Sequence, residues 1–172
     1  MNGFSLITNS QIKRDITHRW RKYFIDFKLS DKYHPQIAPY LATWQAPFIF
    51  NATNRALIPH VPGIYLFFVK PALQIYPEQS YIMYVGYSMN LFNRYGNYLT
   101  TYKNSDEPNY FERRLMLNVW EDKLYYTYID LNGHTEKQIQ KIEDKIIDSL
   151  VPPINRDFAN AIIKQQVRLN RP

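Results

Sequence analysis

Between Ile64 and Val69 every residue is apolar or aromatic, with Ile64, Leu66 and Phe68 alternating with Tyr65, Phe67 and Val69. When both alternate sets are apolar, the pattern predicts a strand covered on both faces, hence a central one. A second β-forming run lies at 81–87 (YIMYVGY) and a third at 124–130 (LYYTYID). Helical spacing marks the segments between and around them. Ile12, Ile16, Trp20, Tyr23 and Phe27 form one stripe of a helix over 11–28, with Ser10 placed to cap it. Ser88 can cap a helix from about 89 to 99 that turns Leu91, Phe92, Tyr95 and Leu99 inward, and Pro108 suits the first turn of another ending near Trp120. After a turn at Asn132-Gly133, Thr135 and Gln138 have the spacing of a capping box. The helix they start ends near Leu150, before Pro152-Pro153, and Ile139, Ile142, Ile146, Ile147 and Leu150 mark its apolar face.

Prolines at 35, 39, 47 and 59 break up residues 29–60, which read as an irregular arm with a short element near Trp44 to Phe50. The element order from 61 onward is β-β-α-α-β-α. It predicts an α+β fold, a small three-stranded, mostly antiparallel sheet flanked by helices, behind an N-terminal helical and irregular extension. The chain divides into a basic helix and wrapping arm (1–60), a domain (61–158) and a C-terminal tail with room for a helix (159–172).

Composition narrows the function classes. The chain is 172 residues long, 45% hydrophobic and 16% aromatic, enough to bury a core. Zero cysteines exclude disulfides, zinc fingers and thiol catalysis, and suit a reducing compartment. Neither a signal peptide nor an apolar run of membrane-spanning length is evident, so a cytoplasmic, intracellular protein without a membrane role is expected. The net charge of +6 is uneven, +5 over residues 1–60 and +1 over the rest. A basic appendage on a nearly neutral body points to a polyanion as partner. Arg14, His18, Arg21, Lys22 and Lys28 lie opposite the helical stripe of 11–28, with their charges available for phosphates.

Two triplets carry the candidate chemistry, Gly63-Ile64-Tyr65 and Tyr84-Val85-Gly86. They place phenols on two strands, each near a glycine whose bare backbone would let a large ligand approach. Arg94 follows, with Tyr98 one turn later on the same side of its helix. Phenols and a guanidinium, in a chain with four histidines, suit a phosphodiester better than an acyl group. Glu143 lies four residues after Ile139 and four before Ile147, on the apolar face or its edge. An unpaired buried carboxylate costs several kcal/mol, so it needs a metal ion, a cation such as Arg94, or a helix rotated enough to expose it. Asp144 and Asp148 read as solvated positions of that helix. Asn155, after the double proline, can act in the site or brace the tail.

The order G-I-Y, Y-V-G, an arginine eight residues beyond that glycine, a helix-borne glutamate and a downstream P-x-N resembles the GIY-YIG nucleases over about residues 61–158. The resemblance implies a catalytic set of Tyr65, Tyr84, Arg94, Tyr98, Glu143 and Asn155. Tyr65 would be the general base and Arg94 would hold the phosphate, while Glu143 would hold one Mg²⁺ (or Mn²⁺) ion. It implies a DNA-cleaving endonuclease, in this compact form most similar to restriction or phage-type members. Double-strand cleavage by such a site calls for a homodimer or homotetramer. Arg14, Arg21, Lys22, Lys28 and Tyr87 are the candidate DNA contacts. The chain departs from the pattern in two places. Tyr87 stands where many relatives carry a lysine, and the interval between the triplets is longer. The alternatives are a nucleic-acid-binding protein with little catalysis on the same fold, or a nuclease directed at RNA.

Overall fold

The doubly apolar run becomes the inner strand of the sheet. A computed structural model of the chain describes residues 27–70 and 80–170. Strand β2 (Gly63–Val69) pairs antiparallel with β3 (Tyr81–Ser88) on one side and with β4 (Leu124–Asp130) on the other. A fourth strand, β1 (Phe48–Ile49), pairs with β4, so the order is β1-β4-β2-β3 and every pairing is antiparallel. The expectation of three strands therefore becomes four. Two residues carry too little alternation to announce a strand. The backbone bonds from Gln45 to Tyr128 and from Phe50 to Leu124 hold this segment on the sheet.

Helices cover both faces. On the first, helix α2 (Leu91–Asn97) runs into a π turn (Tyr98–Tyr102), and α3 (Phe111–Val119) follows. Their Leu91, Tyr95, Tyr98, Tyr102 and Met116 meet Tyr65, Phe67 and Tyr126 of the sheet in an aromatic core. On the second face α4 (Glu136–Leu150) lays Ile139, Ile142, Ile146 and Ile147 against Ile64, Val85 and Ile129. Each of these isoleucines contributes roughly 1.5–3 kcal/mol by burial. The capping box at Thr135 and Gln138 forms as its spacing requires.

Helix α1 (Phe27–Leu41) corrects the expectation of an irregular segment over 29–60, for it continues through Pro35 and Pro39. Each proline removes a hydrogen bond and opposes a helix interior. Docking offsets this, since Ile37 is buried in the α4 core and Tyr40 packs against it. The cap of α2 also differs from expectation. Asn90, not Ser88, accepts the Asn93 amide at 2.9 Å. Ser88 instead ties down Asn90, accepting its amide at 3.0 Å and donating to its carbonyl at 2.8 Å. The tail carries α5 (Ala161–Asn170), whose Ile163 joins the α4 core. The N-terminal stripe of 11–26, with Arg14, Arg21 and Lys22, lies outside the described residues, as do the side chain of Lys28 and the segment 71–79.

Candidate functional site

In the β2–β3 ladder Tyr65 stands opposite Gly86, and Phe67 opposite Tyr84. Paired residues share a sheet face, so both phenols enter the aromatic core beneath α2. A bulge at Met83 lies immediately beyond Tyr84. The two glycines serve packing rather than ligand approach, which corrects the reading from the sequence. A Cβ on Gly86 would stand 2.4 Å from the Tyr65 hydroxyl, so this glycine makes room for the first phenol. A Cβ on Gly63 would stand 2.1 Å from the Ile129 carbonyl oxygen.

Tyr65 and Tyr98 are buried, their hydroxyls 3.0 Å apart. Burial raises the Tyr65 pKa well above its usual range, with the Tyr84 phenol adding and the Arg94 charge opposing. The Tyr98 phenol is likewise pushed well up, first by burial and then by Tyr65. Tyr84 is raised by burial too; Arg113, the Tyr98 hydrogen bond and Arg94 work against the rise, and the Glu143 charge adds to it. Arg94 donates through Nη1 to the Tyr102 hydroxyl at 2.7 Å. Tyr98 and Tyr102 bound the π turn, and both are buried with ring centroids 4.8 Å apart.

Glu143 approaches from the opposite side of the sheet. It is half-buried on α4, its pKa raised to about 7 by burial and by neighbouring Asp144, against the Tyr87 amide and Arg94. The two sides meet around the edge strand β3, where a cavity of about 250 Å³ is lined by Tyr84, Arg113, Glu143, Asp144, Asn155 and Asp157. Of the six expected catalytic residues, Tyr84, Glu143 and Asn155 line it. Tyr65, Tyr98 and Arg94 sit behind Tyr84, and the charge of Arg94 still acts on Tyr65, Tyr84 and Glu143.

Asn155 grips the edge of β3. Its Oδ1 accepts the Val85 amide at 2.9 Å and its Nδ2 donates to the Val85 carbonyl at 2.8 Å. The Ile154 amide adds a bond to the Met83 carbonyl. The edge groups of β3 beside the cavity are thus satisfied by the tail. Tyr87 faces away toward α4, where it bonds Glu136 and Gln140. Asp148 corrects another expectation. It is buried rather than solvated and accepts the Ala159 and Asn160 amides at 3.1 and 2.9 Å, ahead of α5. Burial raises its pKa against those two bonds.

A metal ion can be held by Glu143 with water and a phosphate oxygen completing its shell, the usual arrangement for Mg²⁺. Among the described residues no three or more Asp, Glu or His side chains are placed to cage a cation. The donor set therefore fits a singly anchored hard ion. The sequence did not single out Arg113 and Tyr102. Two adjacent arginines in FERRL offer nothing to choose between them. The fold separates them: Arg114 pairs with Asp106 while Arg113 lies over phenol rings.

No protein-family model and no curated protein matches the chain. Among solved structures it is similar to the GIY-YIG N-terminal endonuclease domain of UvrC from Thermotoga maritima. A point mutant of that domain bound to its catalytic divalent cation matches at 22% identity and a TM-score of 0.39, covering 60% of this chain and 91% of that one. The same domain bound to magnesium matches at 23% identity and a TM-score of 0.38, covering 60% and 92%.

Proposed function

We propose that this chain is a metal-dependent nuclease of the GIY-YIG type that hydrolyses phosphodiester bonds in DNA. The observation that carries the reading is the meeting of Tyr84, Glu143 and Asn155 at one cavity on the β3 edge, with Arg94 and two further phenols behind it. A cavity lined by the Tyr84 phenol, the Arg113 guanidinium and the half-buried Glu143 carboxylate, with Glu112 paired to Arg156 and Asp144 and Asp157 exposed at its edge, suits a tetrahedral anion together with a divalent cation.

In this reading Glu143 would hold one Mg²⁺ or Mn²⁺ ion, which would supply Lewis-acid charge to the scissile phosphate. Arg94 offsets negative charge as it develops on the phosphorus oxygens, from a half-buried position where its field is weakly screened. A tyrosine that has first lost its own proton to solvent takes the proton of the attacking water as a phenolate, while the water oxygen bonds phosphorus and the phosphorus–oxygen bond to the leaving strand breaks. The role expected for Tyr65 passes to Tyr84. Tyr65 is 2% exposed and hydrogen-bonded to Tyr98, whereas Tyr84, 8% exposed, lines the cavity and has Arg113 as the leading charge opposing the rise in its pKa. Tyr65 and Tyr98 then position Tyr84 through the buried phenol cluster. Asn155 holds the strand that carries Tyr84.

Nicking of supercoiled plasmid in Mg²⁺ or Mn²⁺ tests the reading. Wild type should convert supercoiled to nicked circles, and Glu143→Ala should be slower by about 10²–10³-fold, as for loss of one principal charge-stabilising group. Tyr84→Phe should fall further than Tyr65→Phe. Tight DNA binding without nicking in any divalent metal would overturn the nuclease reading. Cleavage of a large DNA of mixed sequence extends the test, with discrete bands supporting a restriction-like or other site-specific enzyme.

A further inference from the structure

Sharing the cavity with Glu143 is a cation that enters no ion pair among the described residues. The Arg113 guanidinium, on α3, lies over three phenol rings, 5.1 Å from the Tyr84 centroid, 5.5 Å from Tyr102 and 5.7 Å from Tyr110. It is partly buried. The nearby charges are taken up elsewhere, Arg114 with Asp106 and Arg156 with Glu112. Ring faces attract a guanidinium but do not use its in-plane N–H groups, and a partly desolvated cation with idle donors favours an anion. Arg113 and Glu143 line the same cavity, so one anion seated there could meet both the guanidinium and a cation that Glu143 would hold.

We propose that Arg113 is a second phosphate-binding arginine, contacting the DNA phosphodiester directly from the cavity that Glu143 also lines. The proposal rests on the nuclease reading for its substrate but not on turnover. Arg94 is already bonded to Tyr102, so its donors are partly committed, whereas those of Arg113 make no hydrogen bond among the described residues. Arg113 also opposes the burial of the Tyr84 phenol more than any other group does. A single side chain would then bind the phosphate and bias the neighbouring phenol toward ionisation. Lysine at 113 would keep the charge but lose the planar fork and the stacked seat.

The test uses the full chain and a short duplex DNA, with binding followed by fluorescence anisotropy in EDTA between 50 and 200 mM salt. Loss of one phosphate contact lowers the slope of log K against log salt by about 0.9. Arg113→Met, which keeps an apolar stem among the rings, should show that drop, with affinity weaker by about 10-fold at the lowest salt. A purely structural role would lower the melting temperature and leave the slope alone. Arg113→Gln carries the same measurement should the methionine variant fail to fold. A slope and affinity matching wild type in a folded variant overturn the proposal, whatever the plasmid assay shows. If the slope drops while wild type cuts no DNA in any metal, Arg113 stands and the nuclease reading falls.

Discussion

At the scale of single residues, Glu143 carries opposing demands. Its carboxyl ordinarily titrates at 4.5 and is raised to about 7 in the folded chain, first by burial. The folded state therefore holds a proton that the unfolded state releases. The stability this contributes is fully present below pH 4.5, is lost as pH rises through the window to about 7, and is flat above it. A shift of this size corresponds to roughly 3 kcal/mol. Glu143→Gln removes the titration while keeping the shape, so urea denaturation should find it level with wild type near pH 4.5. At pH 8 it should be more stable by up to roughly 3 kcal/mol. A constant gap between the two proteins across that window would contradict the assignment. Magnesium should raise the melting temperature of wild type at pH 8 and leave the glutamine variant unmoved, because cation binding favours the ionised folded form. Glu143 was legible in the sequence because a carboxylate within an isoleucine stripe is conspicuous. Asp148 was not, since its partners, the Ala159 and Asn160 amides, arrive from beyond a double proline that carries no periodic signal. Arg113 was hidden for a related reason: only the fold decides which of two adjacent arginines meets the phenols.

At the scale of elements, the site depends on how an edge strand is finished. β3 has β2 on one side only, so its outer amides and carbonyls would face a cavity holding Tyr84 and Glu143. Ile154 and Asn155 take up those groups, and Val85, between Tyr84 and Gly86, receives both Asn155 bonds. Asn155→Ala leaves two buried backbone groups without that partner, a cost of about 2–4 kcal/mol. Thermal unfolding should show a melting temperature lower by about 5–15 °C for a chain of this length. Nicking should fall even at temperatures where the variant is fully folded, because the strand carrying Tyr84 loses its outer support. Stability within about 1 kcal/mol of wild type would mean that water replaces the bracket without loss. The strands β2, β3 and β4, and the capped start of α4, could be read from the sequence, because period-2 runs and a capping box are local signals. The helix through Pro35 and Pro39 could not. Its formation follows from Ile37 and Tyr40 docking on α4, a contact between residues about a hundred positions apart. β1 falls in the short element expected near Trp44 to Phe50, but its place in the sheet was not legible, since its two residues are held by β4 rather than by their own pattern.

At the scale of the molecule, charge and site fall in different parts of the sequence. Residues 1–60 carry a net +5 against +1 for the remainder, while the cavity is assembled wholly from residues 84–157. No helix among the described residues is long and apolar enough to cross a membrane, and the basic segment remains the candidate for a polyanion. Arg14, Arg21 and Lys22 would then add sequence-independent phosphate contacts, with no part in the chemistry. Such contacts act alike on the ground and transition states, so they lower KM without changing kcat. Replacing all three with alanine should weaken duplex binding and reduce the salt slope by roughly two to three. At saturating DNA the nicking rate should match wild type, and at limiting DNA it should drop with the affinity. Site variants separate from this pattern, because Glu143→Ala and Tyr84→Phe should lower the rate at saturation. A fall in the saturated rate of the triple variant would mean that the N-terminal segment takes part in forming the cavity. An unchanged salt slope would mean that its charge never meets the backbone of the nucleic acid.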